Sequence, residues 1–194
     1  VYLLLVGDLV DDPDTIPAWP DQTSYGAHQT DLYYATLAGS DSIPDIFYGR
    51  FPVRDTTQLA NMVNKAIAYQ SASGSEAWVK KAAFLASDDA TYWSVAEGTQ
   101  NYVIDTYTTP LGYTGIFPVN PQMGGDKLYA HTYSANTSNV VNSINDNRSM
   151  VVYSGHGSTT YWAGPSLYQS DVRNLSANQV YPYVAGHACL TGKW

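Results

Sequence analysis

The sequence predicts an α/β domain whose mostly parallel sheet is flanked by helices. Three observations predict it. Short continuous apolar runs recur at 1–7, 82–87, 150–154 and 181–187, with the length and content of strands buried on both faces. Segments with apolar residues at helical spacing lie between them. The two kinds of segment alternate along the chain, which calls for parallel strands joined by helical crossovers.

Taken in order, residues 1–7 read as a buried parallel strand. Residues 8–29 read as a loop rich in Asp and Pro. Residues 32–37 and 45–53 read as extended segments, punctuated by Gly39, Pro44 and Pro52. Asp55-Thr-Thr-Gln58 has the form of a capping box, with Asp in place of the usual Ser or Thr. Behind it Leu59, Met62, Val63, Ala66 and Ile67 fall on one helical face. Residues 82–87 are the next buried strand, 92–107 a helix, and 112–119 a return to strand. A weaker helix at 138–147 leads into strand 150–154. A short helix at 166–177 precedes strand 181–187.

The chain of 194 residues carries 17 acidic and 9 basic side chains, a net charge of −8. Nucleic-acid binding calls for a basic stripe, which is missing here. No apolar run reaches the roughly 18 residues of a membrane span. A chain of this length buries roughly 70% of the surface it exposes unfolded, so a core needs no disulfide. The single cysteine cannot form an internal one. The chain starts inside an apolar run without Met and stops at Trp194, and it reads as a fragment of a longer protein.

The chemistry gathers at three strand ends. Strand 82–87 runs into Asp88-Asp89, strand 150–154 into Gly155-His156-Gly157, and strand 181–187 reaches Cys189. In an open α/β sheet ligands bind beyond the carboxyl ends of the strands. There a carboxylate, an imidazole and a thiol would meet. A thiol attacks as its thiolate, and a nearby imidazole takes the proton. A carboxylate on the other ring nitrogen orients that imidazole. Glycines beside His156 admit a substrate backbone and free a main-chain amide for an oxyanion. Each feature alone has a plainer reading: an inert core cysteine, a loop histidine, a helix cap. Their joint placement after successive strands is what argues for a site.

Two metal readings compete. His187 and Cys189 share a strand face and with His156 could ligate an ion, but structural zinc sites favour several cysteines. Asp8, Asp11, Asp12 and Asp14, with Asp21 and Asp31, offer the hard oxygen ligands that calcium takes. Their spacing is not that of an EF-hand, and a solvated acidic loop is the simpler reading. Trp162, close behind His156, is a candidate wall of a substrate cleft.

Val151-Val-Tyr-Ser-Gly-His-Gly-Ser-Thr-Thr-Tyr-Trp162 resembles the histidine loop of the gingipain-type cysteine peptidases, family C25 of the caspase-like clan. Tyr183-Val-Ala-Gly-His-Ala-Cys-Leu-Thr-Gly192 resembles their nucleophile strand. Upstream, Leu3-Leu-Leu-Val-Gly-Asp8, Ile16-Pro-Ala18, Thr30-Asp-Leu-Tyr33 and Phe47-Tyr-Gly-Arg-Phe51 resemble their non-catalytic half. The resemblance implies a caspase-like fold, with 1–75 matching the non-catalytic half and 76–194 the catalytic half. It implies Cys189 as nucleophile and His156 as its partner. Asp89 best matches the orienting acid, with Asp88 a close competitor. The main-chain amides of Gly157 and Cys189 would bind the oxyanion. Glu97 lies near the stretch that supplies the family's acidic group for basic substrate residues. The resemblance further implies bound structural calcium, no organic cofactor, protein or peptide substrates, and a secreted or cell-surface protein. Two other functions fit the same residues less directly. One is a sortase-like transpeptidase at the cell surface. The other is a catalytically silent adhesion or structural domain.

Overall fold

The computed structural model describes residues 1–9, 15–23, 26–176 and 180–191. The chain divides into two compact units, the first running to Ile67 and the second beginning at Ala68.

The first unit holds β1 (Tyr2–Val6), β2 (Trp19–Thr23), β3 (Gly26–Thr30), β4 (Phe47–Phe51) and most of α1 (Thr56–Gln70). β1 and β4 pair in parallel, from Tyr2 opposite Phe47 to Val6 opposite Phe51. The strand at 1–7 forms as predicted but is not buried. Within β1 only Leu5 is buried, while Tyr2 is 84% exposed and stacks on Phe47, itself 69% exposed. An apolar run guarantees a strand's pairing, but its burial needs a layer against each face. α1 likewise buries none of its residues. Its capping box forms only in half: Asp55 Oδ1 accepts from the Gln58 amide at 2.7 Å, but Gln58 Oε1 accepts from the Arg54 amide, one residue before the cap, at 3.0 Å.

Two expectations fail in this unit. The stretch read as a loop contains an antiparallel pair, β2 with β3. The extended segment expected at 32–37 is instead a tight 3₁₀ turn at Leu32–Tyr34. Its amides bond backward, Tyr34 to the Asp31 carbonyl and Ala35 to that of Leu32, so local turn bonds displace the strand ladder.

The second unit is built on a four-stranded parallel sheet. Its elements are β5 (Ala82–Ala86), α2 (Trp93–Val103), β6 (Thr114–Gly115), β7 (Gln122–Met123) and β8 (Asp126–Tyr129). After them come α3 (Ala130–Tyr133), α4 (Thr137–Asn145), β9 (Met150–Ser154), β10 (His156–Gly157) and β11 (Tyr161–Ala163). β12 (Leu167–Tyr168), α5 (Gln169–Arg173) and β13 (Tyr183–His187) complete it. The sheet order is β13-β9-β5-β8, with every pair parallel.

β5 is buried along its whole length. Its alternate residues feed two cores. Ala83 and Leu85 join Leu128, Val140, Val151 and Tyr153 on one face, against which Val141 and Ile144 of α4 pack. Ala82, Phe84 and Ala86 join Ala96, Ile104 and Tyr129 on the other, the face covered by α2. Helices thus flank both sides of the sheet, as the alternation of strands and helices requires.

The strand expected at 112–119 shrinks to β6, which pairs antiparallel with β7. The amides of Ile116 and Phe117 go to the Asp126 carboxylate instead of a ladder, that of Phe117 at 2.8 Å. The fourth strand of the sheet, β8, was not foreseen. The helix expected at 92–107 is α2 followed by a wider turn over Ile104–Thr108. The helix expected at 166–177 is only α5, because residues 167–168 pair with β11; its expected last residue lies outside the described residues.

Candidate active site

Register sets the geometry of the site. Ser154 of β9 lies opposite both Ala86 of β5 and His187 of β13. The three strands therefore end in one row. Two more main-chain bonds extend it, Ser87 N to Ser154 O at 3.0 Å and Gly155 N to His187 O at 3.2 Å. Asp89 is three residues beyond that row on β5, His156 two beyond on β9, and Cys189 two beyond on β13.

Asp89 divides its carboxylate between two tasks. Oδ1 accepts from the amides of Thr91 and Tyr92 at 2.8 and 2.6 Å, and the Trp93 amide bonds to the Asp89 carbonyl at 3.1 Å. These bonds tie down the turn that leads into α2 and fix the side chain. Oδ2 is left to meet His156 Nε2, at 2.6 Å. The His156 contact, followed by the Tyr92 and Thr91 amides, lowers the Asp89 carboxyl to about 2. An ionised carboxylate only accepts, so Nε2 carries the proton and Nδ1 is the nitrogen left for other chemistry. Asp88 turns elsewhere, against Gly164, whose φ of +56° and closeness to that carboxylate leave no room for a side chain.

His156 itself is exposed and sits on a short hairpin, facing Ala163 across the β10–β11 pair, with Gly157 facing Trp162. A methyl group on Gly157 would run into the carbonyl of Cys189 and the hydroxyl of Thr191, and would stand 3.0 Å from the Ala188 side chain. The segments that carry the imidazole and the thiol are therefore in direct backbone contact. Gly157→Ala is expected to push them apart and to reduce any Cys189-dependent activity at least tenfold, measured as peptide hydrolysis.

Cys189 is a free, exposed thiol. The chain turns sharply just after it. The Thr191 amide bonds back to the Cys189 carbonyl at 2.7 Å, and Leu190 takes a φ of 55°. A non-glycine residue in that region stores strain, and such residues cluster at functional sites. The amides of Gly157 and Cys189, expected to bind an oxyanion, belong to these two abutting segments.

The remaining candidates sort differently. Glu97 is 6% exposed and gives both oxygens to Thr132, one to its amide at 3.1 Å and one to its hydroxyl. It ties α2 to α3 and is already satisfied there, so it is not the free carboxylate that a basic substrate side chain would need. Glu97→Ala is expected to lower the unfolding midpoint, as a buried donor left unpaired costs about 1–3 kcal/mol, and to leave cleavage-site preference unchanged. Trp162 is half-buried and stacks on Tyr153, with ring centroids 4.6 Å apart. It also covers Gly186 of β13, where a side chain would come within 3.2 Å of it. Trp162 thus bridges the hairpin to the nucleophile strand rather than standing free as a wall.

Metal readings find little support. Among the described residues no three His, Cys, Asp or Glu side chains converge on a common point. Asp8 pairs with Arg54, and Asp31 takes a two-pronged contact from Arg50, 2.6 and 2.7 Å. The Arg54 contact holds the Asp8 carboxyl below its ordinary value. Asp21 lies 3.6 Å from His28. Carboxylates already neutralised by arginine do not fit a calcium site, and Asp11, Asp12 and Asp14 lie outside the described residues.

Two residues at this edge carried no signal as site residues. Tyr153 reads as one more apolar residue of its strand, yet its hydroxyl reaches the main chain of the His156 hairpin. His131, in a polar stretch, stacks flat on Trp93 at 3.7 Å, one turn beyond Asp89.

Lys-gingipain of Porphyromonas gingivalis is 28% identical over the whole chain, and gingipain R2 of the same organism is 26% identical over 98% of it. The chain spans 10% of the first and 24% of the second. A solved structure described as a protease covers the whole chain at a TM-score of 0.80 and 26% identity. That of the Arg-specific cysteine proteinase gingipain R covers 98% at 0.72 and 24%, a likeness of fold. The chain spans 39% and 41% of those two structures. No helix among the described residues is long and apolar enough to cross a membrane. The model of peptidase family C25 matches residues 1–194 from end to end, and the chain belongs to that family.

Proposed function

We propose that this chain carries the reacting groups of a cysteine endopeptidase, with residues 76–194 as its catalytic half and 1–75 as its non-catalytic half. One observation carries the reading: an ionised Asp89 holds His156 by Nε2 at the end of a strand in register with the one leading to Cys189. His156 Nδ1 takes the Cys189 proton. The thiolate attacks the peptide carbonyl, and the oxyanion rests on the amides of Gly157 and Cys189. The imidazolium returns its proton to the departing amine, leaving an acyl-enzyme. Water, deprotonated by His156, then releases the acid and restores the thiol. The family's histidine and cysteine motifs also support protein substrates and an exported enzyme.

The test separates the two neighbouring carboxylates in the full-length protein. Asp89→Ala is expected to lower kcat by about 10²–10⁴-fold, since an unoriented imidazole loses its tautomer and direction. Asp88→Ala is expected to stay near wild type. Small, equal losses in both would contradict the assignment. The pH sign follows from the depressed carboxyl. Its contribution is fully present above the ordinary value of 3.8 and is lost as pH falls through about 2. Activity loss on mild acidification is therefore not the protonation of Asp89.

A further inference from the structure

The His156 hairpin is too small to hold itself. Its β10–β11 ladder has two residue pairs and β12 adds two more along β11, a sheet too small to be stable without packing on its neighbours. The His156 side chain is 65% exposed, so packing does not fix it either. Beneath it lies Tyr153, with 0% exposure. The Tyr153 hydroxyl lies 2.8 Å from the His156 carbonyl and also contacts that of Ala163. His156 and Ala163 are the facing pair of the ladder, so one hydroxyl proton is shared between its two sides. The ring lies parallel to Trp162, at 9°, and Trp162 in turn covers Gly186 on the nucleophile strand. Gly155 is also accounted for: a side chain there would meet the Tyr153 hydroxyl at 2.5 Å and Ser87 at 2.6 Å. Burial raises the phenol above its ordinary value of 10, which keeps it a donor.

We propose that Tyr153 is a positioning residue for His156, its hydroxyl clamping the two strands of the hairpin so that the imidazole meets both Asp89 and the thiol. A phenylalanine would fill the same core volume but could not hold the two carbonyls. The consequence for turnover rests on the peptidase reading above.

The test is the pH dependence of Cys189 alkylation by iodoacetamide in the full-length protein, together with kcat and KM on a peptide substrate. Wild type is expected to be alkylated faster than His156→Ala across that profile. Tyr153→Phe is expected to move the profile toward that of His156→Ala and to lower kcat at least tenfold, with KM within about twofold. Ser143→Ala removes a buried hydroxyl on the opposite edge of the sheet and serves as the stability control. It should lower the unfolding midpoint yet leave profile and kcat in place. Should Tyr153→Phe not fold, Trp162→Phe decides, being expected to shift the profile in the same direction. An unmoved profile and kcat in the deciding variant overturn the proposal. A wild-type profile that coincides with that of His156→Ala instead overturns the peptidase reading.

Discussion

Cys189→Ala is expected to abolish peptide hydrolysis by the full-length protein, with kcat falling by about 10⁴-fold or more. The size follows from the chemistry. An alanine offers no nucleophile, so the acyl-enzyme route closes and only the electrostatics of the site remain. His156→Ala is expected to cost nearly as much. Without the imidazole no group takes the thiol proton and none protonates the leaving amine. The double variant should be little worse than either single one, because the two act as a unit. The fold should survive both changes, since both side chains are exposed. Additive losses, or hydrolysis retained in Cys189→Ala, would mean that another residue carries the reaction.

Asp126→Ala is expected to have the largest effect on stability. Asp126 and Arg148 are both fully buried and pair at 2.7 Å. The same carboxylate also accepts from the Ile116 and Phe117 amides and from the Ser143 hydroxyl. Arg148 reaches on to Asp146, which Lys81 also meets at 3.1 Å. This network lies beside the amino ends of the strands, since Asp126 opens β8 and Arg148 precedes β9. Removing one partner strands a buried charge, a loss of about 3–5 kcal/mol. For a unit of this size that lowers the unfolding midpoint by roughly 10 °C or more. Replacing Asp126 and Arg148 together with apolar residues should recover part of the loss. Thermal unfolding of the single and double variants checks both statements. If Asp126→Ala unfolds within about 2 °C of wild type, the pair does not hold this edge.

The strands that carry the site were legible because each is a continuous apolar run. β5, β9 and β13 fall where the sequence placed them, and register did the rest. β8 was missed because Asp126-Lys-Leu-Tyr129 opens on two charged residues. Its Asp126 is buried only because Arg148, far away in sequence, neutralises it. β2 and β3 were missed for a related reason, as Trp19-Pro-Asp-Gln-Thr23 has no apolar alternation to read. The choice between Asp88 and Asp89 depends on the turn into α2, whose amides Asp89 holds with one oxygen while the other stays free. Glu97 was placed near a binding role by its position along the chain. Its burial against Thr132 depends on how α3 packs, which no local pattern encodes. Tyr153 shows the same limit, since a strand pattern places its ring in the core but says nothing of where the hydroxyl ends.

The most direct measurement is covalent labelling of the full-length protein with a peptidyl chloromethyl ketone, followed by intact mass and peptide mapping. The predicted result is one adduct per chain, on Cys189, formed at least a hundredfold more slowly in His156→Ala. No adduct in the wild type, or the same rate in both proteins, would contradict a Cys189–His156 pair as the catalytic centre.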